Sequence, residues 1–257
     1  MTTTATYFYG VVANRSKPRV PRTAAGVPRS GPVRVLELDG GLWLIVADVP
    51  LDRYGEAALA EGLTNLAWVS QAAVAHEAVA EAFLQSDAVL PAKLFTIFAS
   101  DDRALLHVAS QRAAIELLVT RVARKEEWGI RVALGRRPML SASVSGARRG
   151  AAPTGASYLQ RKKAQRDDAR TRAQRAHAVA SGLFDELARH ASEARRRPAT
   201  DLAANGGPLV LDAAFLVART DAPRLRAAAA QQARALTSEG FDVALSGPWP
   251  PYSFMQD

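Results

Sequence analysis

The sequence contains no cysteine, which excludes disulfide bonds, thiolate nucleophiles and cysteine-ligated zinc or iron–sulfur sites. No apolar run approaches the roughly 18 residues that a membrane-spanning helix needs. The first residues, Met1-Thr-Thr-Thr-Ala-Thr, lack the charged and apolar regions of a signal peptide. These absences predict a cytoplasmic protein, a compartment in which disulfides are rare.

Catalytic motifs are also missing. There is no P-loop and no Gly-x-Gly-x-x-Gly after a predicted strand, and Ser141-Ala-Ser-Val-Ser has no nucleophile-elbow pattern. His76-Glu77 begins like a zinc-protease motif, but position 80 is Ala where the second His should stand. A packed or capping histidine explains His76, and helix capping explains Asp101-Asp102 better than a cation site does. We therefore expect no enzyme activity, no cofactor and no metal.

The composition is that of a globular protein with an excess of positive charge. Of 257 residues 48% are hydrophobic, so the chain can bury a core. The net charge is +8, and nearly all the basic residues are Arg. Such a balance is typical of proteins that bind nucleic acid, anionic surfaces or an acidic partner. A GC-rich coding bias towards Ala, Arg, Gly and Pro explains it equally well.

The first half of the chain predicts mixed α and β structure. Strands are predicted at Thr6–Val12, at Val33–Leu38 and at Leu42–Val46, the last two forming a hairpin because Asp39-Gly40-Gly41 supplies the positive φ angles of a tight turn. Helical spacing of apolar residues follows over Leu66–Leu84. Then come a buried strand over Val89–Phe98 and a helix capped by Ser100 or Asp101.

The second half alternates strands with helices. Strands are predicted at Trp128–Leu134, Leu209–Ala218 and Phe241–Leu245, with an Ala-rich helix over Leu225–Glu239. A helical stretch from Tyr158 to Arg197 would be about 60 Å long if it were unbroken. Because a domain of this size is more compact, the helix must overhang or break, and Ser181-Gly182 is the weakest point.

The fold class predicted is α+β with two domains. Residues 1–124 form a mixed α+β domain, and residues 125–245 form a ferredoxin-like domain with a long basic helical extension inserted at about 157–203. Residues 246–257 form a tail that is predicted to pack between the domains.

The basic helix is the strongest candidate for partner contact. Its basic residues fall within about four turns, the leading candidates being Arg161, Lys162, Lys163, Arg166 and Arg170. The helix is either a solvated cover of a sheet, a basic arm for a partner protein, or a nucleic-acid site. The last alternative is weakened because no aromatic residue lies among the basic ones to stack on bases.

The segment Ser246–Phe254 (SGPWPPYSF) is unusually apolar and stiff. The spacing Pro248-x-x-Pro251 is compatible with a polyproline ligand. However, Trp249, Tyr252 and Phe254 can each bury about 150–250 Å². Docking of these three aromatic anchors onto the domains is therefore the favoured interpretation.

Several motifs together resemble the gas vesicle protein F/L family. They occur in family order over nearly the whole chain: Tyr7–Val12 (YFYGVV), Trp68 with His76-Glu77, Val89–Phe98 (VLPAKLFTIF), Lys125–Val132 (KEEWGIRV), Gly155–Leu159 (GASYL) and Gly247–Phe254 (GPWPPYSF). The sequence departs from the family at Pro91–Thr96, where members tend to read Pro-Leu-Arg-Phe-Gly-Thr and this chain has Pro-Ala-Lys-Leu-Phe-Thr.

The resemblance implies a gas vesicle accessory or minor structural protein without catalytic residues. It would act in vesicle assembly through contacts with the major shell protein and other accessory proteins. The alternative from another class is a basic nucleic-acid-binding protein, and a third is an enzyme on a ferredoxin-like scaffold.

Overall fold

The computed structural model describes residues 3–135, 155–198 and 208–255. It is an α+β structure that divides into two compact units. The first comprises Met1–Glu127, Leu216–Arg219 and Gly247–Asp257, and the second comprises Trp128–Phe215 and Thr220–Ser246. The sequence predicts a domain boundary near residue 125, and whether each side of it folds independently stays a prediction.

The first unit is built on an antiparallel sheet with the strand order β2-β3-β1-β4, in which β5 also pairs with β1. Its strands are β1 (Thr4–Ala13), β2 (Arg34–Leu38), β3 (Leu42–Pro50), β4 (Ala88–Pro91) and β5 (Ile97–Phe98). The predicted hairpin is confirmed, because Gly40 and Gly41 between β2 and β3 both have φ near +79°. In β1 every residue after Thr4 is buried, as expected of a central strand covered on both faces.

Five helices accompany this sheet: α1 (Leu51–Tyr54), α2 (Glu56–Gly62), α3 (Leu66–Ala82), α4 (Asp101–Ser110) and α5 (Arg112–Val122). Side-chain caps set where two of them begin. Asn65 Oδ1 accepts from the Trp68 N–H at 3.1 Å, and Ser100 Oγ accepts from the Arg103 N–H at 3.3 Å. Successive β1 side chains point to opposite faces, so Tyr7 meets His76 of α3 while Phe8 packs on Phe98 of β5.

The turn that follows α3 is held by an arginine from far along the chain. The Arg219 guanidinium donates to the carbonyl oxygens of Leu84, Gln85 and Ser86. A cation near a helix C-terminus also interacts favourably with the helix dipole. A residue near the end of the sequence therefore completes the first unit.

The prediction of one strand over Val89–Phe98 is wrong, because the chain leaves the sheet between β4 and β5. Phe95 has φ +61°, in the left-handed region, and its N–H donates to the Tyr7 hydroxyl at 3.1 Å. This is the position at which the resembling family has Gly, the residue that adopts such angles most easily. The Phe95 ring stacks on Trp68 with centroids 5.0 Å apart, which offsets part of the backbone strain.

The second sheet has the order β7-β8-β6-β9. Along the chain the elements are β6 (Lys125–Leu134), α6 (Gly155–Ala188), β7 (Glu193–Arg196), β8 (Leu209–Ala218), α7 (Ala222–Ser238) and β9 (Phe241–Trp249). One further prediction is corrected: the helix ends at Ala188 and not at Arg197, because the last residues of the predicted helix form β7. Helix α6 continues through Ser181-Gly182, the weakest point of the predicted helix, without a break.

Strand β7 has no strand-like composition, since its sequence is Glu-Ala-Arg-Arg. It is held beside β8 by Arg197, whose N–H donates to the Asp212 carbonyl at 2.8 Å and whose Nε donates to the Asp212 carboxylate at 2.8 Å. Arg131 of β6 also pairs with Asp212, which is buried. One buried carboxylate thus joins three adjacent parts of the sheet.

Candidate functional site

The first unit contains a cavity of about 570 Å³ beside α3. Its walls come from α3, from the segment between β4 and β5, and from the C-terminal segment. The lining residues that carry its chemistry are His76, Glu77, Lys93, Leu94, Tyr252 and Met255. Most of the wall is apolar and a few polar groups converge on it, which is the usual make-up of a binding site.

His76 lies at the base of the cavity with both ring nitrogens occupied. Its Nε2 lies 3.1 Å from the Ala92 carbonyl oxygen, so this nitrogen carries the proton and donates it. Nδ1 then accepts from the Tyr7 hydroxyl at 3.0 Å. Burial lowers the pKa of His76 and keeps the ring neutral. The prediction of a packed histidine is confirmed, and among the described residues no group of three or more His, Asp or Glu side chains is arranged to hold a metal ion.

Around His76 lies a cluster of buried tyrosines. The rings of Tyr7 and Tyr9 are 4.7 Å apart, and Tyr7 meets Tyr54 edge to face at 6.0 Å. Burial raises the pKa of Tyr7, and it raises that of Tyr54 to about 12. These hydroxyls therefore stay protonated at neutral pH, where they serve as hydrogen-bond donors of a packed core.

Acidic groups gather on the side of the cavity where the C-terminal segment lies. The pKa of Glu77 is raised mainly by burial and further by the nearby charges of Glu81 and Glu127, while the Tyr252 hydroxyl lowers it in part. No hydrogen bond of ordinary geometry reaches the buried Tyr252 hydroxyl from the described residues. Glu127 is 3% exposed and accepts from the Ser253 N–H at 2.8 Å and from its hydroxyl at 2.7 Å.

The three predicted tail anchors have different environments. Phe254 is fully buried, Tyr252 is half-buried and lines the cavity, and Trp249 is half-buried at the end of β9. Residues Gly247–Asp257 cluster with the first unit. Pro251 is buried with ψ near 51°, far from the polyproline conformation, which disfavours a polyproline ligand. Packing of the tail between two domains stays a prediction.

The candidate contact residues on α6 belong to the second unit, whereas the tail anchors belong to the first. Lys162, Lys163, Arg166 and Arg170 are exposed and fall within about 100° of one another around the helix. The side chain of Arg161 lies outside the described residues. Buried positions on the described part of α6 begin at Ala176, and Arg175 pairs with Glu239 of the loop after α7 at 3.1 Å.

Sequence reasoning did not identify the cavity. Two weak features of the sequence could have indicated it. Glu127 is a glutamate inside an otherwise strand-like run, and an uncharged stretch of α3 is followed by Glu77 and Glu81. Neither signal shows which distant segments meet. The link between Glu127 and Ser253 joins residues that are 126 positions apart.

Known proteins are similar to this chain over nearly its whole length. The family model described as gas vesicle synthesis protein GvpL/GvpF matches residues 5–256. Gas vesicle protein L of Streptomyces sp. (strain CB03234) is 32% identical over 241 residues, which cover 91% of this chain and 87% of that protein.

Solved structures share the fold. The crystal structure of gas vesicle protein GvpF from Anabaena sp. PCC7120 superposes with a TM-score of 0.68 at 15% identity and covers 99% of this chain and 97% of that one. GvpF from Microcystis aeruginosa gives 0.64 at 14% identity, with all of both chains covered. Within the described part of the chain, every helix is too short or too polar to cross a membrane. The family match and the Streptomyces relative together show that the chain belongs to the gas vesicle synthesis protein GvpL/GvpF family.

Proposed function

We propose that this protein acts in gas vesicle assembly as an accessory or minor structural component, through contacts with the major shell protein and other vesicle proteins. The observation that carries the proposal is the family match over residues 5–256. A relative named gas vesicle protein L, aligned over 91% of the chain, supports it. The gas vesicle, or the site where it is assembled, is the location proposed for the protein.

The exposed basic residues of α6 are proposed as one partner surface. Lys162, Lys163, Arg166 and Arg170 lie before the first buried position of the described helix, so their main role is not packing. Exposed charges of one sign steer association and set specificity more than they stabilise a fold. An acidic segment of another vesicle protein is the partner chemistry that this surface fits.

The second domain is proposed to be ferredoxin-like. The element order β6-α6-β7-β8-α7-β9 and the strand order β7-β8-β6-β9 support this assignment. In that architecture α6 is the first crossover helix, extended by several turns at its N-terminal end. The extension is then an addition to a stable scaffold.

Deletion and complementation test the function. Cells that lack the gene are expected to form no vesicles or deformed ones, as measured by flotation and electron microscopy, and the wild-type gene should restore them. Normal vesicles in the deletion strain would refute the role in assembly.

A charge-reversal pair tests the α6 surface. We expect Arg166→Glu with Arg170→Glu to weaken capture of purified vesicle proteins and to impair flotation. The matched control is Arg226→Glu with Arg234→Glu, which makes the same charge change at exposed positions of α7. Equal effects of the two pairs would show that net charge matters and that the α6 surface has no special role.

A further inference from the structure

Helix α3 presents a strip that its own unit covers only in part, since Leu66, Ser70 and Val74 are exposed and the other members are half-buried. The α3 strip consists of Leu66, Ser70, Ala73, Val74, Glu77 and Glu81, which fall within about 100° around the helix. Leu66 is 78% exposed and Val74 is 71% exposed. Single exposed apolar residues are ordinary, but these belong to a strip that continues into the cavity through Ala73 and Glu77.

The composition of α3 sharpens this observation. Leu66–His76 contains no Lys, Arg, Asp or Glu, so the first three turns of the helix are apolar or neutral on the solvent side as well as on the core side. A surface helix of a globular domain normally carries charge on its outer face. Three turns without a charge, with Leu66 and Val74 exposed to solvent, therefore point to a covering partner.

The acidic end of the strip indicates that the partner is positively charged at this end. Glu77 and Glu81 lie in the last two turns of α3, where the helix dipole disfavours a carboxylate, and the last turn has no basic residue. Within the described residues neither carboxylate has a Lys or Arg ion-pair partner, and burial raises the pKa of both. The charge of a cation placed here would offset both the lost hydration of these carboxylates and their repulsion by the helix dipole. Lys93 lines the cavity as well, so the preference for a cation is confined to the α3 wall.

We propose that the α3 strip and the adjoining cavity bind an amphipathic helix of another vesicle protein. Its leucine-like side chains would cover Leu66 and Val74, and a Lys or Arg would reach Glu77 and Glu81. The strip spans 16 residues and about 22 Å, so a partner helix of about four turns covers it. This is the helix-in-groove mode of recognition, and it rests on the function proposed above.

Photocrosslinking in vesicle-forming cells tests the inference. The full-length chain carries p-benzoylphenylalanine at Val74, and a control chain carries it at Leu106, which is 62% exposed on α4. At Val74 we expect a crosslink to one vesicle protein, in a segment with helical spacing of apolar residues and a Lys or Arg, as identified by mass spectrometry of the linked peptide. The control position should yield much less of this product.

Charge variants make the test specific. Glu77→Lys with Glu81→Lys should lower the yield at Val74 by at least about tenfold, and reversing the identified Lys or Arg of the partner to Glu should restore it. The isosteric Glu77→Gln should lower the yield less. Because this substitution keeps the size of the side chain and removes a half-buried charge, we expect the variant to fold, and it tests whether misfolding explains a lower yield.

Three results would overturn the inference: no product at Val74 above the Leu106 level, a crosslink to a second copy of this chain, or a yield that charge reversal leaves unchanged. The deletion strain separates this failure from that of the proposed function. If vesicles need the gene but the α3 strip makes no such contact, the function stands and the docking surface is elsewhere.

Discussion

Helices α3 and α6 differ in how they are held and in what they expose. The 17 residues of α3 include buried positions from Trp68 to Ala80, so tertiary contacts hold it along nearly its whole length. The 34-residue α6 is buried only from Ala176 onward in its described part, and the earlier turns depend on intrinsic helix propensity. We therefore expect substitutions in α3 to perturb folding as well as the contact proposed for it, whereas substitutions at the exposed, described positions in the first half of α6 should leave folding unchanged.

The largest effect is expected from removing the C-terminal segment. A chain that stops after Gly247 loses the fully buried Phe254 and the Ser253 groups that satisfy buried Glu127. Loss of a buried phenylalanine alone costs about 3–5 kcal/mol. We expect a clearly lower melting temperature, measured by circular dichroism. The point variant Phe254→Ala should reproduce most of the loss, and an unchanged transition would show that the segment stabilises nothing.

A pair of substitutions at Phe95 tests the strained turn beside α3. Phe95→Ala removes the stacking on Trp68 but keeps a side chain at positive φ, and we expect a loss of about 2–4 kcal/mol. Phe95→Gly removes the same ring and also the strain, so it should be about 1 kcal/mol more stable than Phe95→Ala. The measurement is urea unfolding. Equal stabilities would mean that the left-handed backbone costs nothing here.

The buried histidine predicts a loss of stability in acid. Its pKa in the folded protein lies below the ordinary value of 6.5, so the unfolded chain takes up a proton that the folded chain refuses. Stability should fall as the pH drops below about 6.5, by up to 1.4 kcal/mol per pH unit. Unfolding experiments across this range should show a shallower dependence in His76→Gln. Identical slopes would place the acid sensitivity elsewhere.

Glu77 predicts the opposite sign on the same helix. The pKa of Glu77 is raised above 4.5, so the folded state holds the proton more tightly than the unfolded state does. The folded protein therefore loses stability as the pH rises from 4.5 through the raised pKa. At pH 7 we expect Glu77→Gln to stabilise the protein by less than about 1 kcal/mol, since the group is only half-buried and water screens it. A destabilised Glu77→Gln protein would show that the carboxylate is satisfied within the chain.

The smallest effect on stability is expected on α6. Arg166→Glu with Arg170→Glu changes only exposed side chains, and surface substitutions of this kind stay within about 0.5 kcal/mol each. Thermal unfolding of the variant should match that of the wild type. A large loss would show that this part of the helix is packed, and the contrast with α3 would fail.

Local signals in the sequence predicted the local features of the fold. Strand β1 follows from its aromatic and β-branched residues, the β2–β3 hairpin from Asp39-Gly40-Gly41, and the start of α3 from its helical spacing. Strand β7 was missed because its four residues have no strand preference, and Arg197 with Asp212 holds it in place. The cavity also depends on contacts between residues that are distant in the sequence, since it forms where α3 meets residues near position 252. Local sequence patterns therefore did not predict it.

The arginine that closes the turn after α3 has a consequence for protein synthesis. Arg219 and Phe254 both belong to the unit that begins at the N-terminus, and both are made long after Glu127. At about 5–20 residues per second, the 127 residues from Glu127 to Phe254 take roughly 6–25 s. During that time α3 and the sheet of the first unit have been synthesised, but Arg219 and Phe254, which contribute to the same unit, have not all been added to the chain. The first unit therefore cannot reach its complete native structure until the C-terminal residues have been synthesised.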